Sequence, residues 1–103
     1  MDVLQVIAEP RRREILALVW DTEMAAGDIA ARSAVTFGAV SQHLSVLRGA
    51  GLVAMRKDGN HRYYRADKES LGSLRVVLEE MWSKTLDHLS ETIEGDMSTG
   101  EPK

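Results

Sequence analysis

The chain of 103 residues contains no cysteine, which excludes disulfide bonds and every metal site that is built from thiolates. It also lacks a run of about 18 apolar residues, so the sequence predicts no membrane-spanning helix. The first residues, Met1–Gln5, lack the basic region that begins a secretory signal. A hydrophobic content of 44% and a charged content of 28% are typical of a globular domain. These features predict a single soluble domain in the cytoplasm.

Acidic residues are absent between Asp28 and Asp58, although the whole chain carries a net charge of −3. Residues 29–66 contain six basic residues and one acidic residue, which gives a local charge of +5, whereas the flanking segments carry −3 and −5. An approaching polyanion responds more strongly to the local electrostatic field of the protein surface than to the net charge of the whole chain. The distribution therefore favours a nucleic-acid contact within residues 29–66, and it disfavours indiscriminate binding by the remainder.

The segment Thr36–Arg48 is predicted to form a helix whose exposed face suits a DNA groove. Thr36 is a good N-cap residue, and Val40, Leu44 and Leu47 recur at the spacing of one apolar stripe. The opposite face carries small or hydrogen-bonding residues and no acid: Gly38, Ser41, Gln42, Ser45 and Arg48, with His43 at its edge. Such side chains can reach base edges in the major groove, where carboxylates would repel the phosphates.

The segment before this helix predicts the first half of a helix-turn-helix. Residues Gly27–Ser33 are long enough for a short helix, and Ala34-Val35 can form the turn with Val35 buried as its plug. The pattern alone leaves an alternative open, which is a helical hairpin in an all-α core.

A basic β-hairpin is predicted to follow. Residues Leu52–Met55 and His61–Arg65 suit two strands, and Asp58–Asn60 carries a strong turn signal because Gly and Asn tolerate positive φ. One of Tyr63 and Tyr64 is expected to pack inward, and the pattern does not say which. Polar and basic residues gather at the loop end, where they could reach a phosphate or a minor groove: Arg56, Lys57, Asn60, His61 and Arg62.

These motifs together resemble the ArsR family of bacterial transcriptional regulators over roughly Val3 to Leu89. The matching pieces are Glu9-Pro10, Arg12-Arg13, Ile15-Leu16, Asp28-Ile29-Ala30, Ala39–Leu44, Val46-Leu47-Arg48, Ala50–Val53 and Asp58-Gly59 followed by Arg62–Arg65. The resemblance implies a mainly α fold with a small β-hairpin wing (α+β). This is a winged helix-turn-helix of about five helices that dimerises through its first and last helices.

The resemblance also implies a function, since members of the family are homodimers that bind operator DNA and are usually released by a metal or another inducer. We therefore expect a sequence-specific transcriptional regulator, a homodimeric repressor that binds an inverted-repeat operator in double-stranded DNA. Its recognition helix would be residues 36–48 and its basic wing residues 56–62. The expected DNA contacts are Thr36, Phe37, Gly38, Ser41, Gln42, His43, Ser45, Arg48, Arg56, Lys57, Asn60, His61, Arg62 and Tyr64. For Phe37, packing against the domain is favoured over a contact with a thymine methyl group.

Residues Ser70–Ile93 predict one long amphipathic helix of about 35 Å, which is longer than this small domain can cover. The surplus is expected to pack on a second copy of the chain, together with the first helix. The expected dimer-interface residues are Val3, Leu4, Ile7, Leu78, Met81, Trp82, Leu86 and Leu89. A last helix folded over its own core is the alternative. The expected domain is residues 1–94, with a disordered tail at residues 95–103.

The sequence predicts neither an enzyme nor a cofactor, because it has no Gly-rich phosphate loop and no nucleophile motif. In the metal-sensing branch of the family two cysteines stand where this chain has Ala25 and Gly27, so the resemblance implies the metal-independent branch. Regulators of that branch answer either to a small-molecule inducer, here of unknown identity, or to no known ligand. His88 and Glu91 match half of an interhelical zinc site, and two ligands are too few for a structural zinc.

Three further alternatives stay open at this stage. One is a winged-helix module that binds protein without DNA, and another is a regulator that senses metal through the partial His/Glu site. The third concerns the three consecutive arginines, Arg11–Arg13, which either contact phosphate or pair locally with Glu9 or Glu14.

Overall fold

The computed structural model describes residues 2–83 of the chain. Its secondary-structure elements, in chain order, are α1 (Val3–Ala8), α2 (Pro10–Leu18), β1 (Met24–Ala25), α3 (Ala26–Arg32), α4 (Phe37–Gly49), β2 (Val53–Asp58), β3 (His61–Ala66), a 3-10 helix (Lys68–Leu71) and α5 (74–83, where the described part ends). The chain divides into two compact units, Met1–Gly72 and Ser73–Lys103. No helix in the described range is long and apolar enough to cross a membrane.

The three consecutive arginines at the start of α2 are engaged within the chain. The side chains of Arg12 and Arg13 donate to carbonyl oxygens at the end of α1, at 2.7 and 2.8 Å. The last carbonyls of a helix have no partner within it, so the two guanidinium groups stabilise the end of α1. Arg11 pairs with Glu14 at 3.2 Å. Contacts within the chain therefore account for all three side chains. Arg11 pairs with a carboxylate as predicted, whereas Arg12 and Arg13 donate to backbone carbonyls.

The core of the first unit gathers apolar residues from its helices and from the start of the wing. The predicted stripe of α4 is confirmed, because Val40, Leu44 and Leu47 are all fully buried or nearly so. The other buried residues of this unit are Val6, Ile15, Leu16, Val19, Trp20, Ile29, Leu52, Val53 and Leu71. This core fixes the orientation of α4 in the domain.

The helix-turn-helix is formed by α3 and α4, close to the predicted bounds. The Oγ1 atom of Thr36 accepts a hydrogen bond from the backbone N–H of Ala39 at 3.2 Å, so Thr36 is the N-cap as predicted. In the turn between the helices, the Oγ atom of Ser33 donates to the carbonyl of Ile29 at 2.7 Å. Val35 is only half-buried, and the prediction of a buried plug is wrong.

The wing is part of a three-stranded antiparallel sheet with the order β1-β3-β2. The hairpin of β2 and β3 was predicted, and Gly59 in its turn has a φ of 63°, in the region that glycine tolerates best. Strand β1 was not predicted, since two residues give no alternation to detect. Tyr63 and Tyr64 are both half-buried, and the register of the sheet puts Tyr64 on the face of buried Val53 and Tyr63 on the opposite face.

The predicted start of the last helix is wrong. Ser70 and Leu71 belong to the 3-10 helix, and Gly72 follows with a φ of 58°. A left-handed residue interrupts an α-helix, so the helical pattern of the sequence is broken here and α5 begins at residue 74. The predictions for Leu86, Leu89 and Ile93, and those for His88 and Glu91, lie outside the described residues.

Candidate nucleic-acid interface

Helix α4 presents two adjacent stripes of exposed residues. Phe37, Ser41, Ser45 and Arg48 follow one another at helical spacing on the first stripe. The second stripe, with Gly38 and Gln42, is also exposed, and His43 is half-buried at the edge. The absence of acids from this surface comes directly from the sequence.

Phe37 does not pack against the domain as expected, because its side chain is 59% exposed. It is the first residue of α4, directly after the N-cap, and it lies one turn before Ser41 on the stripe that faces away from the core. Its helical position therefore overrides the usual tendency of an aromatic ring to be buried.

A groove of about 730 Å³ lies between α4 and the wing. The first stripe of α4 forms one wall, and residues of β3 and its turn form the other. Eight of the residues predicted to contact DNA line it: Phe37, Ser41, Ser45, Arg48, Asn60, His61, Arg62 and Tyr64. Six predicted residues do not line it: Thr36, Gly38, Gln42, His43, Arg56 and Lys57. The start of α3, Ala26–Asp28, also lines the groove, and it includes one acidic residue, Asp28.

The basic residues of the wing are divided between its two faces. In the register of the sheet Lys57 lies directly opposite Arg62, and Arg56 lies opposite Tyr63. Side chains that are paired across strands share a face, and faces alternate along a strand. Lys57 and Arg62 therefore share the face of buried Val53, which we call the inner face, whereas Arg56 is on the outer face.

Five cations in the basic segment have no acidic partner among residues 2–83, because none of the ion pairs found there includes them. They are Arg32, Arg48, Lys57, Arg62 and Arg65, of which Arg65 donates to the backbone carbonyl of Asp21 at 3.3 Å. Basic residues elsewhere in the described range are engaged, for example Lys68 with Asp21 and Arg75 with Glu79. The positive field of the interface is thus free to act on an external anion.

Arg56 is the exception in this segment. Its Nε and Nη2 atoms donate to the two carboxylate oxygens of Glu23 at 3.1 and 2.7 Å. The hydrogen bond to Arg56 lowers the pKa of Glu23, and the same bond raises the pKa of Arg56. The guanidinium also lies 4.8 Å from the centroid of the Tyr63 ring and 3.7 Å from a carboxylate oxygen of Asp58.

Two charged residues were missed by the sequence analysis. Arg32 lies at the exposed end of α3, and its only signal was its position in the acid-free segment. Glu23 lies 33 residues from Arg56, and no local pattern connects residues so far apart.

Among the predicted dimer-interface residues, Leu4 is 64% exposed, and Val3 and Ile7 are half-buried. Met81 is exposed and Trp82 is half-buried. Leu78 is only 2% exposed in the single chain, which leaves it little surface for a second copy. The interface itself stays a prediction. No group of three or more potential metal ligands occurs in the described part of the chain.

A helix-turn-helix followed by a hairpin wing, with unpaired cations around the groove between them, defines a winged helix-turn-helix DNA-binding protein. Residues 9–54, which contain helices α2, α3 and α4, match the family model described as "Bacterial regulatory protein, arsR family".

Known proteins resemble the chain over most of its length. HTH-type transcriptional regulator Rv2034 of Mycobacterium tuberculosis is 35% identical over 92 residues, which are 89% of this chain and 86% of that protein. The crystal structure of a "Possible transcriptional regulator for arsenical resistance" has 42% identity and a TM-score of 0.68, and covers 89% of this chain and 96% of that one. Reduced HlyU from Vibrio cholerae has 30% identity and a TM-score of 0.69, with coverages of 78% and 84%.

The chain therefore belongs to the arsR family of bacterial regulatory proteins. The family and the fold that the sequence motifs implied are confirmed. The protein is a DNA-binding transcriptional regulator, and its family consists of regulators, not enzymes.

Proposed function

We propose that two copies of the chain form a repressor that binds an inverted-repeat operator. Each copy inserts α4 into a major groove, and the two half-sites lie about one helical turn, or a multiple of it, apart. The observation that carries the proposal is that two cations without an acidic partner, Arg48 and Arg62, line the groove beside the exposed face of α4, and that Lys57 lies directly opposite Arg62. A recognition helix in the major groove has phosphates on both sides, and these cations suit them.

The proposed contacts fall into two groups. Ser41, Gln42 and His43, with Thr36 at the start of α4, contact base edges or the adjacent phosphates. Gly38 allows close approach, and Phe37 and Ser45 lie along the same surface. Arg48, Lys57, Asn60, His61, Arg62 and Tyr64 mainly contact the backbone and position the protein. Gln42 is exposed and can pair with adenine through both amide atoms.

The pair Lys57 and Arg62 supports the backbone assignment most strongly. The two residues lie directly opposite each other on adjacent strands, and like charges at such positions destabilise a sheet. No acid neutralises them in the described range. A phosphate between them would offset their repulsion, so the arrangement suits the bound state better than the free one.

The dimer is supported by exposed apolar residues in each unit. Leu4 is exposed on α1, and Val76, Val77 and Met81 are exposed on α5. Val77 and Met81 are one helical turn apart and so are neighbours on the surface of α5. Adjacent exposed apolar side chains are a feature of contacts with another chain, and a chain of this size gains buried area by association. A second copy doubles the number of phosphate contacts.

Release from the operator is proposed to come from a small-molecule inducer, since the chain has no thiolate and the described residues hold no group of three or more potential metal ligands. A regulator of a bacterial chromosome acts in the cytoplasm, which is our proposal for its location.

The proposal is tested by selecting bound fragments from the host genome with the purified protein, followed by gel retardation of the recovered sites. We expect inverted-repeat sites and binding that weakens steeply with salt. A protein-interaction module would retard no fragment at low salt, and that result would overturn the proposal. Because the relative HlyU is named a transcriptional activator, a reporter gene behind the recovered site then gives the direction, and lower expression with the regulator present is expected.

A further inference from the structure

The ion pair between Glu23 and Arg56 crosses the whole width of the sheet. Glu23 directly precedes β1, whereas Arg56 lies on β2, and β3 runs between these two strands. The guanidinium lies 4.8 Å from the centroid of the Tyr63 ring, so it spans the middle strand on the outer face. We call this arrangement of Glu23, Arg56 and Tyr63 the strap.

The strap reinforces the short connection that β1 makes between the wing and α3. Strand β1 has only two residues, which pair with Tyr63 and Tyr64, and α3 begins at the next residue, Ala26. The two residue pairs and the strap therefore add to the direct contacts of α3 with β3 and of α4 with β2 in holding the wing against the helix-turn-helix. Both ends of the strap are side chains with considerable exposure, 35% for Glu23 and 54% for Arg56.

Arg56 is poorly arranged for a phosphate contact. The Nε and Nη2 atoms of Arg56 both donate to Glu23, and its Nη1 atom lies 3.7 Å from the Oδ2 atom of Asp58. A phosphate would have to displace a carboxylate that already has the bidentate geometry that arginine prefers. The unpaired wing cations Lys57 and Arg62 lie on the inner face instead.

We infer that Glu23 and Arg56 are positioning residues, whose ion pair holds the wing at the angle that lets Lys57 and Arg62 reach the DNA backbone while α4 occupies the major groove. The inference rests on the proposed mode of DNA binding, and it removes Arg56 from the predicted phosphate contacts. An exposed ion pair biases an orientation modestly. Removing the ion pair can weaken DNA binding by no more than the free energy with which the pair favours the DNA-binding orientation of the wing. We therefore expect a two- to fivefold loss of affinity.

The test is a charge-conserving double variant, Glu23→Ala with Arg56→Gln, which removes the strap and leaves the net charge unchanged. Affinity for a recovered operator is measured by fluorescence anisotropy between 50 and 200 mM salt, and the midpoint of thermal unfolding is measured in parallel. The expected result is a two- to fivefold weaker complex with an unchanged salt slope. The matched control is Lys57→Gln, which should flatten the salt slope by roughly 0.9 for each phosphate that the variant no longer binds.

A second variant, Glu23→Ala alone, distinguishes this positioning role from an alternative in which Glu23 competes with phosphate for Arg56. If it did, Glu23→Ala alone would bind more tightly with a steeper salt slope, and the double variant would show a flatter slope. Either result would overturn the inference. A lower unfolding midpoint with unchanged affinity would also overturn it, because the pair would then be merely structural. If the wild-type protein binds no operator, the proposed function fails first, and it does so independently of these variants.

Discussion

Replacing Arg62 with Gln should strengthen the fold slightly and weaken DNA binding at the same time. Arg62 lies directly opposite Lys57 in the sheet, and neither pairs with an acid among residues 2–83. Like charges at opposite positions cost about 0.2–1 kcal/mol, and both residues are exposed, so we expect a gain near the lower end of that range. Urea unfolding of the free protein measures it.

The cost appears in the complex with DNA. Each phosphate contact contributes about 0.9 to the slope of log affinity against log salt. Over the fourfold change from 50 to 200 mM, one contact therefore accounts for roughly a 3.5-fold change in affinity. The Arg62 variant should lose about that much salt sensitivity per bound subunit, and it should weaken operator and unrelated DNA alike.

The charge-matched control is Arg75→Gln, since Arg75 pairs with Glu79 on α5, outside the basic segment. It should leave the salt slope unchanged. If the Arg62 variant keeps the wild-type slope, or if it loses affinity for the operator only, then Arg62 is not a backbone contact and the reasoning from the unpaired cations fails.

Three other changes probe separate parts of the account. Gln42→Ala should cost about 1–3 kcal/mol of discrimination between bases, and an unaltered site preference in a selection from random DNA would remove Gln42 from base reading. Phe37→Ala should alter the free energy of unfolding by no more than about 0.5 kcal/mol because the ring is exposed, whereas a loss above about 2 kcal/mol would show that it packs. The hydrogen bond with Arg56 lowers the pKa of Glu23 from its ordinary value of 4.5. The strap therefore stabilises the fold above pH 4.5, and that contribution is lost as the pH falls through the lowered pKa. An NMR titration midpoint at or above 4.5 for the Glu23 carboxyl would contradict this.

Local signals in the sequence were enough to predict the central part of the fold. The cap at Thr36 and the stripe of Val40, Leu44 and Leu47 depend only on residues within α4, and the turn at Gly59 depends on its neighbours. These signals place the recognition helix α4 and the wing next to each other in the chain. The family resemblance then supplied their common function.

The features that were missed depend on residues far apart or on exceptions to a periodic pattern. Strand β1 is defined by its pairing with β3, about 40 residues later, and the carboxylate that binds Arg56 lies 33 residues away. The helix predicted from Ser70 fails at Gly72, whose left-handed backbone the apolar spacing does not reveal. The exposure of Phe37 likewise follows from where its helix packs.

The most direct test of the account is methylation protection of guanine N7 atoms, which lie in the major groove, on an operator fragment bound by the wild-type protein. We predict protection in two half-sites whose centres are about one helical turn, or a multiple of it, apart, and disappearance of that protection at high salt. Full methylation at every guanine, under conditions where the protein is bound to the fragment, would show that α4 does not occupy the major groove.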